Sequence, residues 1–207
     1  DIIDVNAAVG FWPTQRFPYQ TLSDLTQAFT QTGIQTALVS AVESILFPEP
    51  DTYDGELFEA MAGIPSLRPV KTLNPTLGHW RRSTEEALSK YPIAALKLFP
   101  NYHGYSLESE CVADACRFAF QKRLPLLIQM RVNDERNQPR FLQMHGVPAE
   151  EIADLGLKFP ENVIIALCAY NHEVAILAKG GAGLLVDLSF LDQTMPLGMI
   201  AAEMPED

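Results

Sequence analysis

Seven short, nearly unbroken apolar runs punctuate the sequence, each bounded by Gly, Pro or polar turn residues. They are Ile2 to Val5, Thr36 to Val39, Pro69 to Leu73, Ile93 to Phe99, Leu124 to Met130, Val163 to Cys168 and Leu184 to Leu188. A run that is apolar on both faces predicts a strand of a buried parallel sheet. Segments of helical period lie between them: Thr21 to Thr32, Glu56 to Ala62, Ser83 to Lys90, Leu107 to Lys122, Ala149 to Lys158 and Glu173 to Lys179. Thr21, Ser83 and Ser106 each stand before a polar or acidic first turn and read as helix caps.

This alternation is the βα repeat of a right-handed parallel fold. Seven strands are one short of the eight that close a (β/α)8 barrel. The expected fold is therefore α/β, a TIM-like (β/α)8 barrel with the last strand absent from this chain, over a single domain, 1–207. Such a barrel leaves two strand edges open, so further chain or a partner, a homo-oligomer included, is expected to cover the gap. An open doubly wound sheet would also take seven strands. It is disfavoured because the first strand runs into Asn6-Ala7-Ala8-Val9-Gly10-Phe11-Trp12-Pro13 instead of a glycine-rich turn that opens a helix. Gly180-Gly181-Ala182-Gly183 precedes a strand and reads as a flexible connection, not a phosphate cradle.

Composition narrows the partners. The 207 residues are 47% hydrophobic and 20% charged, with a formal net charge of −11. That charge repels phosphate backbones and anionic lipid, so neither nucleic acid nor a membrane is an expected partner. No apolar run approaches the roughly 20 residues of a membrane span, and Asp1-Ile2-Ile3-Asp4 lacks the basic start of a signal peptide; a cytoplasmic location is expected. Cys111, Cys116 and Cys168 have neither zinc nor disulfide spacing and read as reduced, mostly buried thiols.

In a barrel, reactive groups gather at the carboxyl ends of the strands. Asn6, Ser40 with Glu43, and Asn74 end the first three runs. The fourth carries Lys97 and leads to Tyr102 and His103; the fifth ends at Gln129 with Arg131 behind it; the seventh gives Asp187 and Ser189. Lys97 is the most telling, because a lysine inside Ala95-Leu96-Lys97-Leu98-Phe99 must either snorkel out or find a partner. His103, close behind it, suits acid or base work and could share its pocket, though a loop histidine is also common on surfaces. His79, His145 and His172 read as structural. Residues 131–138 form a charged loop that is either solvated or a lid over a ligand. Asn6 and Gln129 can orient a substrate but not react with it. Glu43 and Asp187 can supply a base, although Asp187 can equally cap a turn.

Together these segments resemble the amidohydrolase superfamily, in the branch of aminocarboxymuconate-semialdehyde decarboxylase and 2-pyrone-4,6-dicarboxylate lactonase. The resemblance rests on Ile2-Ile3-Asp4-Val5-Asn6-Ala7-Ala8, Leu73-Asn74-Pro75, Ala95-Leu96-Lys97-Leu98-Phe99-Pro100 with His103-Gly104-Tyr105, and Leu124-Pro125-Leu126-Leu127-Ile128-Gln129. It implies a hydrolase or non-oxidative decarboxylase that uses a divalent metal, usually zinc. The metal ligands it implies are missing: Asn6 and Ala8 replace a His-x-His pair, Gln129 replaces a histidine, Leu167 or Cys168 replaces another, and the aspartate after strand eight has no counterpart. No metal or other cofactor is therefore expected. The expected function is hydrolysis or a lyase step on a small carboxylate. Lys97, His103 and Glu43 would be catalytic, while Asn6, Gln129, Arg131, Arg136, Asn74 and Tyr102 would bind substrate. The alternative is a catalytically inactive barrel that binds a small molecule or serves as a scaffold.

Overall fold

Each of the seven apolar runs overlaps a strand. A computed structural model describes residues 2–13, 19–138 and 143–191, and the chain divides into two compact units, Asp1–Lys97 and Leu98–Asp207. The first runs β1 (Ile3–Val9), α1 (Leu22–Thr32), β2 (Thr36–Ala41), α2 (Glu43–Leu46), α3 (Asp51–Ala60), β3 (Leu67–Leu73) and α4 (Trp80–Lys90), and ends within β4 (Ala95–Leu98). The second continues with α5 (Pro100–His103), α6 (Glu110–Lys122), β5 (Leu126–Gln129), α7 (Ala149–Lys158), β6 (Ile164–Leu167), α8 (Asn171–Leu177) and β7 (Leu184–Val186). Within each unit the strands pair in parallel in chain order, β1–β2–β3 and β5–β6–β7. No eighth strand occurs among the described residues.

Burial follows strand position. Every residue of β4, β5 and β6 is buried, as expected of parallel strands covered on both faces. β1 is different: Ile2 and Ile3 are 56% and 57% exposed, so its opening is not the doubly buried run the pattern suggested. Within its unit β1 has a strand neighbour on one side only, and apolar alternation does not reveal which strand lacks a second neighbour. β1 also runs on to Val9 instead of ending at Asn6.

The β1–β2 register breaks once. Ile3 and Asp4 face Thr36 and Ala37, whereas Ala7 and Ala8 face Val39 and Ser40, so β1 carries one extra residue between Asp4 and Ala7. Such a bulge re-aims the side chains beside it, and Asn6 lies in it.

Thr21 is a true cap. Its Oγ1 accepts from Asp24 N–H at 3.1 Å while the Asp24 carboxylate accepts from Thr21 N–H at 3.1 Å, a complete capping box. Thr21→Ala is expected to lower stability by about 1 kcal/mol in urea unfolding. Ser83 and Ser106 are not caps. α4 starts earlier, at Trp80, and Ser83 Oγ bonds back to Trp80 O; α6 starts later, at Glu110, and Ser106 holds the turn before it. In both cases a serine-led turn stands in the wrong place, because local hydrogen bonds of Ser compete equally well in turns and at helix ends.

Candidate functional site

Two lysines of the first unit are buried inside strands, and their surroundings differ. Lys97 of β4 is 3% exposed. Its Nζ donates to Asn6 Oδ1 at 2.8 Å and to Ser40 Oγ at 3.3 Å. The β1 bulge and β2 thus both supply neutral oxygens to one ammonium, and Asn6, Ser40 and Lys97, all singled out in the sequence, come together.

Lys71 of β3 was hidden within an apolar run, and its partners lie on α3. Its Nζ bonds to Asp51 Oδ1 and Asp54 Oδ2, each at 2.8 Å, and to Thr72 O. Asp54 also accepts from Ser44 Oγ and Thr72 N–H. Burial alone would lower the Lys71 pKa, but the Asp54 and Asp51 carboxylates outweigh it and hold the ammonium above its usual range. Burial raises the Asp54 carboxyl above its ordinary value despite Lys71. Lys71 is a structural cation, neutralised on the spot.

Two other expected site residues of this unit are occupied by the chain itself. Glu43 Oε1 accepts the Phe11 N–H at 2.7 Å, and its carboxylate packs so closely on Gly10 that a Cβ there would lie 2.1 Å from Oε2. Gly10 has φ +130°, open to glycine and strained for other residues. Asn74 donates to Pro48 O and accepts from Thr76 N–H and Oγ1. Both side chains lock loops.

In the second unit Arg131 is the hub. Nη1 donates to Cys168 O at 2.6 Å and Glu173 Oε2 at 2.7 Å, Nη2 to Glu173 Oε1 at 2.5 Å, and Nε to Glu135 Oε1 at 3.3 Å. Its guanidinium lies 4.0 Å from the Tyr170 ring centroid, a cation–π stack. Burial would depress its pKa, but the Glu173 hydrogen bonds and charge raise it above the usual value. Arg131 is thus paired with a carboxylate of the protein itself. Gly146 permits the approach, since a Cβ there would come within 2.5 Å of Nη2.

Arg136 is exposed and closes on Asp134, with Nη2 to Oδ2 at 2.6 Å and Nε to both oxygens. The Arg136 bonds hold the Asp134 carboxyl well below the usual carboxylate range. Tyr170 OH joins Asp134 and Glu135 N–H, so the charged loop folds on itself up to residue 138. His103 closes α5 and meets Phe99 edge-on, with centroids 6.0 Å apart. It belongs to the second unit and Lys97 to the first. Burial pushes the Tyr102 hydroxyl up to about 12.

Gln129 is buried at the end of β5. Its Nε2 donates to Arg131 O at 2.7 Å and to Cys168 Sγ at 3.1 Å. Cys168 follows β6, and its N–H donates to Asp187 Oδ1 at 2.7 Å. Asp187 also accepts from Ser189 Oγ. The sequence read Cys168 as a reduced, mostly buried thiol and, with Leu167, as standing where the resemblance implies a histidine; it lies one residue past a strand end. Among the described residues no group of three or more His, Cys, Asp or Glu is gathered to hold a metal, and no helix is long and apolar enough to cross a membrane.

No family model matches this sequence, and no curated protein matches it. Solved structures do. An uncharacterised TIM-barrel protein, Bb4693 from Bordetella bronchiseptica, is similar over 88% of this chain and 65% of its own, with 12% identity and a TM-score of 0.63. 2,6-Dihydroxybenzoate decarboxylase from Rhizobium matches over 80% of this chain and 65% of its own, with 10% identity and a TM-score of 0.55. Amidohydrolase 2 from Bifidobacterium longum subsp. infantis matches over 90% and 72%, with 15% identity and a TM-score of 0.51. The likeness is one of fold, that of a TIM-like barrel. The chain spans about 65% of the length of the first two structures.

Proposed function

We propose that this chain, with the fold of the amidohydrolase-type barrels, carries the site of a hydrolase or lyase for a small carboxylate, held by the Lys97 ammonium instead of a zinc ion. The observation that carries this reading is Lys97 itself, 3% exposed and positioned by Asn6 and Ser40. A buried ammonium has a large desolvation cost, and the bulge that brings Asn6 to it is a local irregularity of the kind found beside active sites. One fold neighbour is named for decarboxylation of 2,6-dihydroxybenzoate, itself a small carboxylate.

The residues at the positions of the implied zinc ligands do not fit that ion. Ala8 has no donor atom, the Asn6 oxygen faces an ammonium, and the Gln129 nitrogen is a donor toward Arg131 O and Cys168 Sγ. A cation among the would-be ligands repels a second one. Lys97 binds the carboxylate, and Asn6 and Ser40 orient the ammonium. Arg131, Asn74 and Glu43 leave the substrate-facing set because their polar atoms hold other parts of the chain.

A panel of benzoates, short dicarboxylates and lactones, followed by melting temperature and product formation, tests the reading. One carboxylate class is expected to stabilise the protein, by about 2.7 kcal/mol at a hundredfold excess over Kd, and to be converted. Stabilisation without conversion would assign the same site to a binding protein. A panel in which no carboxylate shifts the melting temperature would sink both.

A further inference from the structure

The carboxyl end of β6 holds a thiol that carboxylate binding does not use. Cys168 is 4% exposed and has φ 61°, the left-handed region that residues with a Cβ seldom occupy. Two backbone bonds hold it there, N–H to Asp187 Oδ1 and C=O from Arg131 Nη1. Sγ then lies 3.1 Å from Gln129 Nε2 and 3.4 Å from Ser189 Oγ, and Ser189 Oγ lies 2.8 Å from Asp187 Oδ2.

A hydroxyl has one hydrogen. Ser189 Oγ stands as donor to Cys168 Sγ and lies 2.8 Å from Asp187 Oδ2, so its hydrogen serves sulfur or carboxylate, one at a time. When the hydroxyl turns to Asp187, its oxygen is free to accept the thiol hydrogen, and the Cys168 proton has a path to a buried base. Gln129 must turn its nitrogen inward, since Arg131 O is only an acceptor; its second N–H therefore points at sulfur and strengthens as sulfur becomes anionic. Nucleophile, relay, base and anion donor stand within hydrogen-bond reach, the arrangement of an activated nucleophile. Ser189 is exposed, which opens this end of the cluster to solvent.

We propose that Cys168 is the nucleophile of an acyl-transfer site that takes ester, lactone or thioester carbonyls, with Ser189 and Asp187 as its proton relay and Gln129 as its thiolate donor. It deepens the hydrolase half of the reading above. Sγ bonds to the acyl carbon as its proton passes through Ser189 to Asp187. The bond to the leaving oxygen or sulfur breaks, and that atom recovers the proton by the same route. Water then attacks the acyl-cysteine, gives one proton to Asp187 through Ser189, and releases the carboxylic acid. The thiol is restored as the relay returns that proton to sulfur.

The test uses p-nitrophenyl acetate, which has no carboxylate and so reads this site independently of Lys97. The full chain is mixed with the ester, p-nitrophenolate is followed, and the acetylated peptides are identified by mass spectrometry. The expected result is a burst of one equivalent with acetyl on Cys168. Cys116, whose thiol burial pushes up to about 12, and the half-buried Cys111 are internal controls and stay unmodified. Ser189→Ala, at an exposed position, is expected to slow the burst about a hundredfold with an unchanged melting temperature, and Cys168→Ser to abolish the acetyl-thiol. Acetyl on Cys111 or on lysines only, or an unchanged burst in Ser189→Ala, overturns the proposal. Loss of carboxylate binding with an intact burst would instead count against the Lys97 reading alone.

Discussion

Lys71→Met is expected to destabilise the protein by about 3–5 kcal/mol, because it strips the counter-charge from a carboxylate that has no access to water. Asp54 is 1% exposed, and its remaining partners, Ser44 Oγ and Thr72 N–H, are neutral. Protonation of Asp54 relieves part of the cost, in the direction its raised pKa already indicates. Asp51 loses the same partner but is half-buried and rehydrates. The double variant Lys71→Met/Asp54→Leu separates the causes, since a buried ion pair replaced by apolar residues of similar volume is often neutral or stabilising. Urea unfolding should show the double variant recovering most of the loss. A double variant as unstable as the single one would mean that packing of the lysine stem, not its charge, holds β3 to α3.

Glu173→Ala is expected to have a loss of similar size, about 3–5 kcal/mol, for the mirror-image reason. It leaves a guanidinium that is 3% exposed at the side chain without its bidentate carboxylate. Arg131 stays protonated throughout the accessible pH range, so no proton loss relieves the cost. Glu135, at 3.3 Å, and the Tyr170 ring remain, and they limit the loss without removing it. Tyr170 N–H also loses its acceptor on Glu173, which frees the start of α8. Glu173→Gln keeps an acceptor for Tyr170 and should fall between the two. Equal stability of Glu173→Ala and the parent would show that Glu135 alone satisfies Arg131.

The strands were legible because seven runs are apolar on both faces, and burial on both faces is what a parallel sheet imposes. Partners across the fold were not legible. Lys71 sits in a run that reads as apolar, and its carboxylates come from α3, which precedes β3 in the chain. Arg131 was visible at a strand end as a cation suited to an anion, but the anion is Glu173, brought up by the next βα step. The same holds for Asn74 and Glu43, whose polar atoms are taken by neighbouring backbone. Lys97 with Asn6 and Ser40 was the readable part of the proposed site, because the apolar runs put all three at or near their carboxyl ends. What the sequence did not show is the extra residue in β1, which brings Asn6 to the ammonium. Cys168 was read as a reduced, mostly buried thiol, since its backbone conformation and its contacts with Ser189 and Asp187 exist only once β6 and β7 are paired.

The central claim is that Lys97 holds a carboxylate. The most direct measurement is the calorimetric affinity of a carboxylate that stabilises the parent protein, compared with its affinity for Lys97→Met, with both melting curves recorded. Hydrogen bonds to a charged group contribute about 1.5–3 kcal/mol, so a roughly ten- to hundredfold weaker Kd is predicted for a variant that still melts cooperatively. An unchanged Kd in that folded variant would contradict the account.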